Sequence, residues 1–439
     1  MLQQQLSWLG QLINRPYPVN GTNETQRRGM HLVWWDTIWS AASSAFYGDF
    51  LVLYMVALGA SAVSIGTRSS INSTASLIAP LLGAWLVERY GRRKLWVVWG
   101  AGGVARAMLA LAAAIPLLLS GTSAVNALVG LLALQAFAGN ISQPAWRSLF
   151  GDIVPLPIRG RFMGLRMMAS NVLVVAIVPI AGWMIRQVGG LGGYQLSLLG
   201  AAILGLVATS CYARIPEPET DRVSTGMGPA VHRGGMGAGL AAFRRDRIFV
   251  VFCLVNFFFN LGIQLSGPFF SVHMVQNLGF TVDTVAMVTT VSTVVNIIAM
   301  RVAGPLVDRH GTARITAISM LLVPLMPLAW VFAQTPFHVI LVRSYGFIAW
   351  AGFHVAEIPL LLRLTPSDHR EQFLAYYATI NSVSAVVGPL IASWLYANYG
   401  FSVNLLASAA GRGLGGLLFL LLYLKSDIRK VDKITDPAG

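Results

Sequence analysis

The chain has 439 residues, of which 55% are hydrophobic and 11% charged, with a mean hydropathy of +0.65 and a formal net charge of +14. A water-soluble domain carries about 25% charged residues, so this composition excludes an ordinary globular protein and points to lipid as the solvent. The basic excess does not indicate nucleic acid, because the Lys and Arg residues cluster between apolar runs instead of forming one patch.

Residues 1–29 are a polar lead-in. Leu2, Leu6, Leu9 and Ile13 recur at helical spacing, which fits an amphipathic helix on the membrane surface, with a disordered tail as the alternative. Met1 to Ile13 lacks a basic start and a continuous apolar core, so no signal peptide is expected.

A membrane-spanning helix needs roughly 20 apolar residues. Twelve such runs are predicted, at 30–57, 63–86, 95–119, 123–149, 162–186, 194–213, 247–274, 283–303, 314–334, 338–363, 372–397 and 401–424. A cytoplasmic N-terminus puts most of the 31 Lys and Arg residues on the inner side, so both termini are expected in the cytoplasm. Residues 30–213 and 247–425 then form two six-helix bundles. Residues 214–246, which open Arg214-Ile215-Pro216 and turn Gly-rich, read as a flexible cytoplasmic linker, with a short surface helix starting at Leu240 to Phe243. Residues 426–439 are a cytoplasmic tail. Cys211 and Cys253 fall near the ends of predicted spans and imply no disulfide framework.

The two bundles repeat. Ala84-Trp85-Leu86-Val87-Glu88-Arg89-Tyr90-Gly91 recurs 220 positions later as Gly304-Pro305-Leu306-Val307-Asp308-Arg309-His310-Gly311. Leu58-Gly59 and Leu278-Gly279 share that offset. Pro155, Arg159 and Phe162 match Pro366, Arg370 and Phe373, and Pro179 matches Pro389. One order at nearly one offset indicates an internal duplication.

The stretch from Gly304 to Gly311, followed by Arg314, resembles the signature loop of the major facilitator superfamily. The first copy departs from it, with Glu88 in place of Asp and Gly83 one position early, and Arg92-Arg93-Lys94 supplies the basic run. The resemblance spans residues 30 to 425. It implies an all-α membrane protein of two pseudo-symmetric bundles working by alternating access. It also implies loops that latch the halves on the cytoplasmic side: Glu88, Arg89, Gly91, Arg92, Asp152 and Arg159 in one, and Gly304, Asp308, Arg309, Gly311 and Arg370 in the other.

Ionisable groups inside spans are costly and mark candidate sites. Asp36, Asp49, His354 and Glu357 are the candidate proton-coupling residues, and Arg68 and Arg106 their candidate charge partners. At ~1.5 Å rise per residue, Asp49 and Arg68 fall at similar depth near the outer mouth. Asp36 and Arg106 fall within an arginine's reach deeper in. His354 and Glu357 are three apart on one helix face. Structural ion pairing is the alternative role for each.

Span 7 carries Asn256, Asn260 and Gln264 as one polar stripe among phenylalanines. Ser40 and Tyr47 in span 1, Gln135, Asn140 and Gln143 in span 4, and Trp350 in span 10 complete the candidate substrate cavity. Many proton-driven exporters of this superfamily carry an Arg in helix 4, four residues before a Gly. Here Gln135 precedes Gly139, and Val178 precedes Pro179 where a Gly is expected.

The leading expectation is proton-coupled export of an amphiphilic or drug-like solute from the plasma membrane. Uptake or facilitated diffusion of a sugar or metabolite is the second reading. A receptor or assembly factor on the same scaffold is the third. The sequence holds no His/Cys metal cluster, Ser/His/Asp set or Walker loop. The expected partners are a small-molecule substrate, protons and the bilayer, with no cofactor, no metal and no nucleic acid, for a monomer.

Overall fold

The computed structural model describes residues 23–216, 242–365, 370–425 and 428. The predicted surface helix at 1–13, nearly all of the linker and most of the C-terminal tail lie outside them. Among the described residues the chain is helical throughout, with no strand.

The first half comprises α1 (Glu24–Tyr47), α2 (Phe50–Ala57), α3 (Ala62–Tyr90), α4 (Arg93–Trp96), a π-helical segment (Val97–Val104), α5 (Ala105–Leu118), α6 (Gly121–Ile141), α7 (Gln143–Ile153), α8 (Leu156–Val188) and α9 (Gly190–Ala213). The second comprises α10 (Arg247–Ser266), α11 (Phe270–Gln276), α12 (Val282–His310), α13 (Thr312–Leu322), α14 (Leu325–Trp330), α15 (Pro336–Leu364) and α16 (Arg370–Lys425).

Among the described residues, eleven helical stretches are long and apolar enough to cross a membrane. The last, Gln372–Lys425, has 54 residues. Straight, it would run about 80 Å, against ~30 Å of hydrocarbon. It breaks at Gly400, whose φ of 79° and ψ of 179° are non-helical, and so supplies the eleventh and twelfth crossings. Trp99, Leu117 and Phe332 are each at least 65% exposed, as apolar side chains facing lipid would be.

Two compact units emerge. One contains the described residues up to Tyr54 and from Ile78 to Pro216. The other contains Met55–Leu77 and the described residues from Ala242 onward. In the first, α1 packs on α8 and α9, around a core of Met30, Val33, Trp34, Leu149 and Phe162. In the second, α10 packs on α16 and α12 on α15, around Phe249, Phe252, Phe259, Phe353, Phe373 and Phe419. Phe243 joins this core, its ring centroid 4.9 Å from that of Tyr376. Residues 242–245 form one helical turn anchored through Phe243, with Arg244 and Arg245 exposed.

The duplication is written into the backbone. The amide of Gly91 donates to Val87 O at 2.8 Å and that of Gly311 to Val307 O at 2.9 Å, both glycines at positive φ. Gly59 and Gly279 share positive φ, as do Gly189 and Gly400. At Gly311, φ 86° and ψ 151° lie in a region essentially reserved for glycine. The signature motifs themselves are helical: α3 continues to Tyr90 and α12 to His310, so only the closing residues form a loop. Gly48 and Asp49 form a turn between α1 and α2, with Gly48 at α-helical angles, and Glu24–Ala57 crosses as one span.

Candidate functional site

Within the first unit lies a cavity of about 260 Å³. It is lined by Asp36 and Ser40 on α1, Arg106 on α5, Gln143 and Trp146 on α7, Arg166 on α8, and Thr209 and Tyr212 on α9. The π-helical segment closes one side through Val97, Val98, Ala101 and Gly102. There the amide of Ala105 donates to Gly100 O, five residues back, instead of four. π segments are rare, and many occur at functional sites.

Hydroxyls of α1 hold both guanidinium groups in place. The Thr37 hydroxyl donates to Val33 O at 2.8 Å and accepts from Arg166 Nε at 2.5 Å. The Ser43 hydroxyl donates to Ala201 O at 2.6 Å and accepts from Arg106 Nη1 at 3.1 Å. Each hydroxyl has spent its proton on a backbone carbonyl, so only its oxygen remains to meet the arginine. The Arg166 guanidinium also lies over Trp146, 4.9 Å from the ring centroid, a cation–π contact.

Arg106 has room because of Gly205. A Cβ at position 205 would sit 2.4 Å from Arg106 Nε. That Nε is buried without a hydrogen-bond partner.

Asp36 lines the cavity together with both arginines. Among the described residues no carboxylate lies within 4.0 Å of either guanidinium; the pair that meets this limit is Arg93 with Asp152. Asp36 and Arg106 thus share a cavity without forming the close ion pair that helix depth suggested. Arg166 falls inside predicted span 5 but is not among the candidates named from the sequence; it lies well inside α8 and belongs to the site. Thr209 and Tyr212 were also missed, although Gly205, Thr209 and Tyr212 make a small and polar face on an apolar helix, a pattern that marks helix contacts in lipid.

The other candidates lie apart from this cavity or turn back on their own helices. Gln135 Nε2 donates to Tyr47 Oη at 3.4 Å. Asn140 Nδ2 donates to Ala136 O at 2.8 Å. Asp49 sits in the turn after α1, and Arg68 on α3.

In the second unit, Glu357 Oε1 accepts from Tyr377 Oη at 2.6 Å. His354 instead stacks on Trp350, with ring centroids 5.1 Å apart, and Trp350 also packs on Phe259. Asn256 is buried and donates to Phe252 O at 2.9 Å. Asn260 donates to Asn256 O at 3.0 Å and to Asn381 Oδ1 at 3.2 Å. Gln264 packs against Gly388.

At the motif end, Arg93 Nη1 donates to Asp152 Oδ2 at 2.7 Å and to Ser148 Oγ at 2.8 Å. Glu88, Arg89, Arg92, Asp308 and Arg309 are exposed and Gly304 is half-buried. Arg89 lies over Trp85 at 5.5 Å. The side chains of Arg159 and Arg370 lie outside the described set.

Twelve apolar crossings in two related halves, with a charged cavity inside one of them, define a polytopic helical membrane protein of the duplicated type used by secondary transporters. The family model of the Major Facilitator Superfamily matches residues 37–273 and 252–438. The chain belongs to that superfamily.

Among its relatives, the multidrug resistance protein MdtG of Salmonella typhimurium is 22% identical over 418 residues, covering 92% of this chain and 96% of that one. MdtG of Escherichia coli is 22% identical over 422 residues, covering 94% and 97%. Among solved structures, the nucleoside transporter NupG aligns with a TM-score of 0.70 at 13% identity, covering 92% of this chain and 100% of that one. A D-xylose–proton symporter aligns with a TM-score of 0.68 at 15% identity, covering 90% and 96%. At these identities the solved structures speak for the fold.

Proposed function

We propose that this transporter is a proton-coupled exporter of an amphiphilic organic solute, set in the plasma membrane with both termini in the cytoplasm, and that Asp36 carries the proton. The observation that carries this reading is the Asp36 carboxylate. It lines a cavity with two guanidinium groups and is locked in a close ion pair with neither. A locked pair resists protonation, whereas a carboxylate with looser partners can trade a proton for a ligand. Val97, Val98, Trp146 and Tyr212 give the same cavity an apolar side, which suits a cargo with a hydrophobic body. The multidrug-resistance names of the MdtG relatives support the outward direction.

In this reading, solute and proton occupy the Asp36 region alternately as the two halves rock about the membrane midplane. Glu357 and Asp49 are further coupling candidates. The exposed charges at the motif ends of α3 and α12 regulate opening on the cytoplasmic side.

The test uses proteoliposomes enclosing a pH-sensitive dye, with solutes first selected by ligand-induced thermal shift on the purified protein. Adding solute should drive protons in the opposite direction. Asp36→Asn should abolish that proton movement while leaving downhill solute exchange. Gradient-driven accumulation that survives Asp36→Asn, Asp49→Asn and Glu357→Gln alike would rule the coupling out.

A further inference from the structure

The cavity of the first unit presents both signs of charge on one wall. Arg106 and Arg166 reach it from α5 and α8, and Asp36 from α1. Neither guanidinium is matched by a carboxylate within 4.0 Å among the described residues. Both are steered instead by neutral hydroxyl oxygens, Ser43 Oγ and Thr37 Oγ1. Such bonds orient a guanidinium without neutralising it. Arg106 Nε remains buried and without a partner, although each guanidinium has five N–H donors to place. Unpaired charge in a low-dielectric cavity is costly, and a ligand that supplies the missing counter-charge gains what the protein leaves unmet.

We infer that the ligand of this cavity is a zwitterionic amphiphile, its oxyanion held by Arg106 and Arg166, its ammonium by Asp36, and its hydrophobic body against Trp146 and Tyr212. A planar carboxylate offers two oxygens, and an arginine fork matches that geometry. A purely cationic ligand would meet two like charges for each opposite one. A purely anionic ligand would satisfy the arginines but face Asp36. A ligand of both signs gives each sign of the wall a complement, the two guanidinium groups sharing one oxyanion.

The ammonium also competes with the proton for Asp36, so loading with cargo and loading with a proton exclude each other. The cavity of about 260 Å³ lies just below the ~300 Å³ at which pockets for drug-sized ligands begin, which favours a compact ligand. The inference relies on the proposed transport function only in calling the ligand cargo; the binding preference is independent of it.

The test is equilibrium binding, without any gradient, to the full-length protein in nanodiscs. L-phenylalanine, 3-phenylpropanoate and 2-phenylethylammonium share one aromatic body and differ in charge. Calorimetry should rank phenylalanine first, phenylpropanoate second and phenylethylammonium last. Arg166→Gln and Arg106→Gln should each weaken phenylalanine by about tenfold or more, the loss of one hydrogen bond to a charged group, and leave phenylethylammonium unchanged or tighter. Asp36→Asn should bring phenylalanine and phenylpropanoate to equal affinity. A thermal melt of each variant checks folding, and the wild-type ranking alone decides should a variant fail to fold. Phenylethylammonium binding tightest, or all three binding alike, overturns the inference. Binding in the stated order with no flux in proteoliposomes would sink the transport reading and leave this one standing.

Discussion

Gly205→Ala tests whether the position of Arg106 is set by the gap left at residue 205. The added Cβ would lie 2.4 Å from Arg106 Nε, 2.5 Å from Cδ and 2.8 Å from Cζ. Comfortable contact between heavy atoms is ~3.5–4.0 Å, so the guanidinium must move by on the order of 1 Å. Overpacking of this kind costs about 1–3 kcal/mol, and the 3.1 Å bond to Ser43 would be strained with it. Against this, replacing Gly by Ala inside a helix gains roughly 0.5–1 kcal/mol. The net expectation is a loss of about 1–2 kcal/mol.

In an Arg106→Ala background the obstruction is gone, and Gly205→Ala should stabilise by about 0.5–1 kcal/mol. The double-mutant cycle, read by reversible chemical unfolding in micelles, should therefore give a coupling of roughly 2 kcal/mol. Gly130→Ala, where nothing lies within 4 Å of the new Cβ, controls for the backbone effect and should stabilise in both backgrounds. An equal cost for Gly205→Ala with and without Arg106 would refute the reasoning.

Other perturbations address the remaining features. Arg93 and Asp152 are 2.7 Å apart with side chains 10% and 23% exposed. Their double-mutant coupling should reach about 1–2 kcal/mol, above the ~0–1 kcal/mol of surface pairs, and should weaken little with salt. Tyr377→Phe removes the donor to Glu357 and should cost about 1.5–3 kcal/mol in the same unfolding assay. Arg412 is 2% exposed, donates to Ser266 Oγ at 2.7 Å and has no carboxylate within 4.0 Å among the described residues. Arg412→Met should leave the melting temperature unchanged or raise it, since apolar replacement of a buried charge is often neutral or stabilising. Gly400→Ala forces a side chain into a glycine-only backbone region and should cost about 1–3 kcal/mol, with a lower melting temperature as the readout.

The crossings were legible because lipid enforces an apolar run of fixed length, and the repeat because Gly91 and Gly311 hold backbone angles that other residues resist. Asp36, Ser40, Gln143 and Arg106 were marked by the rarity of polar groups in such runs. Arg166 escaped because it stands near the start of predicted span 5, close behind Arg159 and Arg161 in the chain, where a basic residue normally marks the membrane surface. The partner of Glu357 escaped for a different reason. Tyr377 is twenty residues away on another helix, and no periodicity links the two. Residue spacing gave His354 and Glu357 a common face, but aromatic packing took the histidine toward Trp350.

The π-helical turn before α5 has a consequence for everything that follows it in that crossing. It holds one residue more than an α-helical turn would, and in an α-helix each residue turns the chain by about 100°. The direction in which Arg106 points is thus a matter of counting. Removing one residue from Val97–Val104 would turn the wide turn into an ordinary α-helical one and leave α5 in its present register. The same deletion in a regular turn ahead of Arg106 would rotate the guanidinium by about 100° around the helix axis.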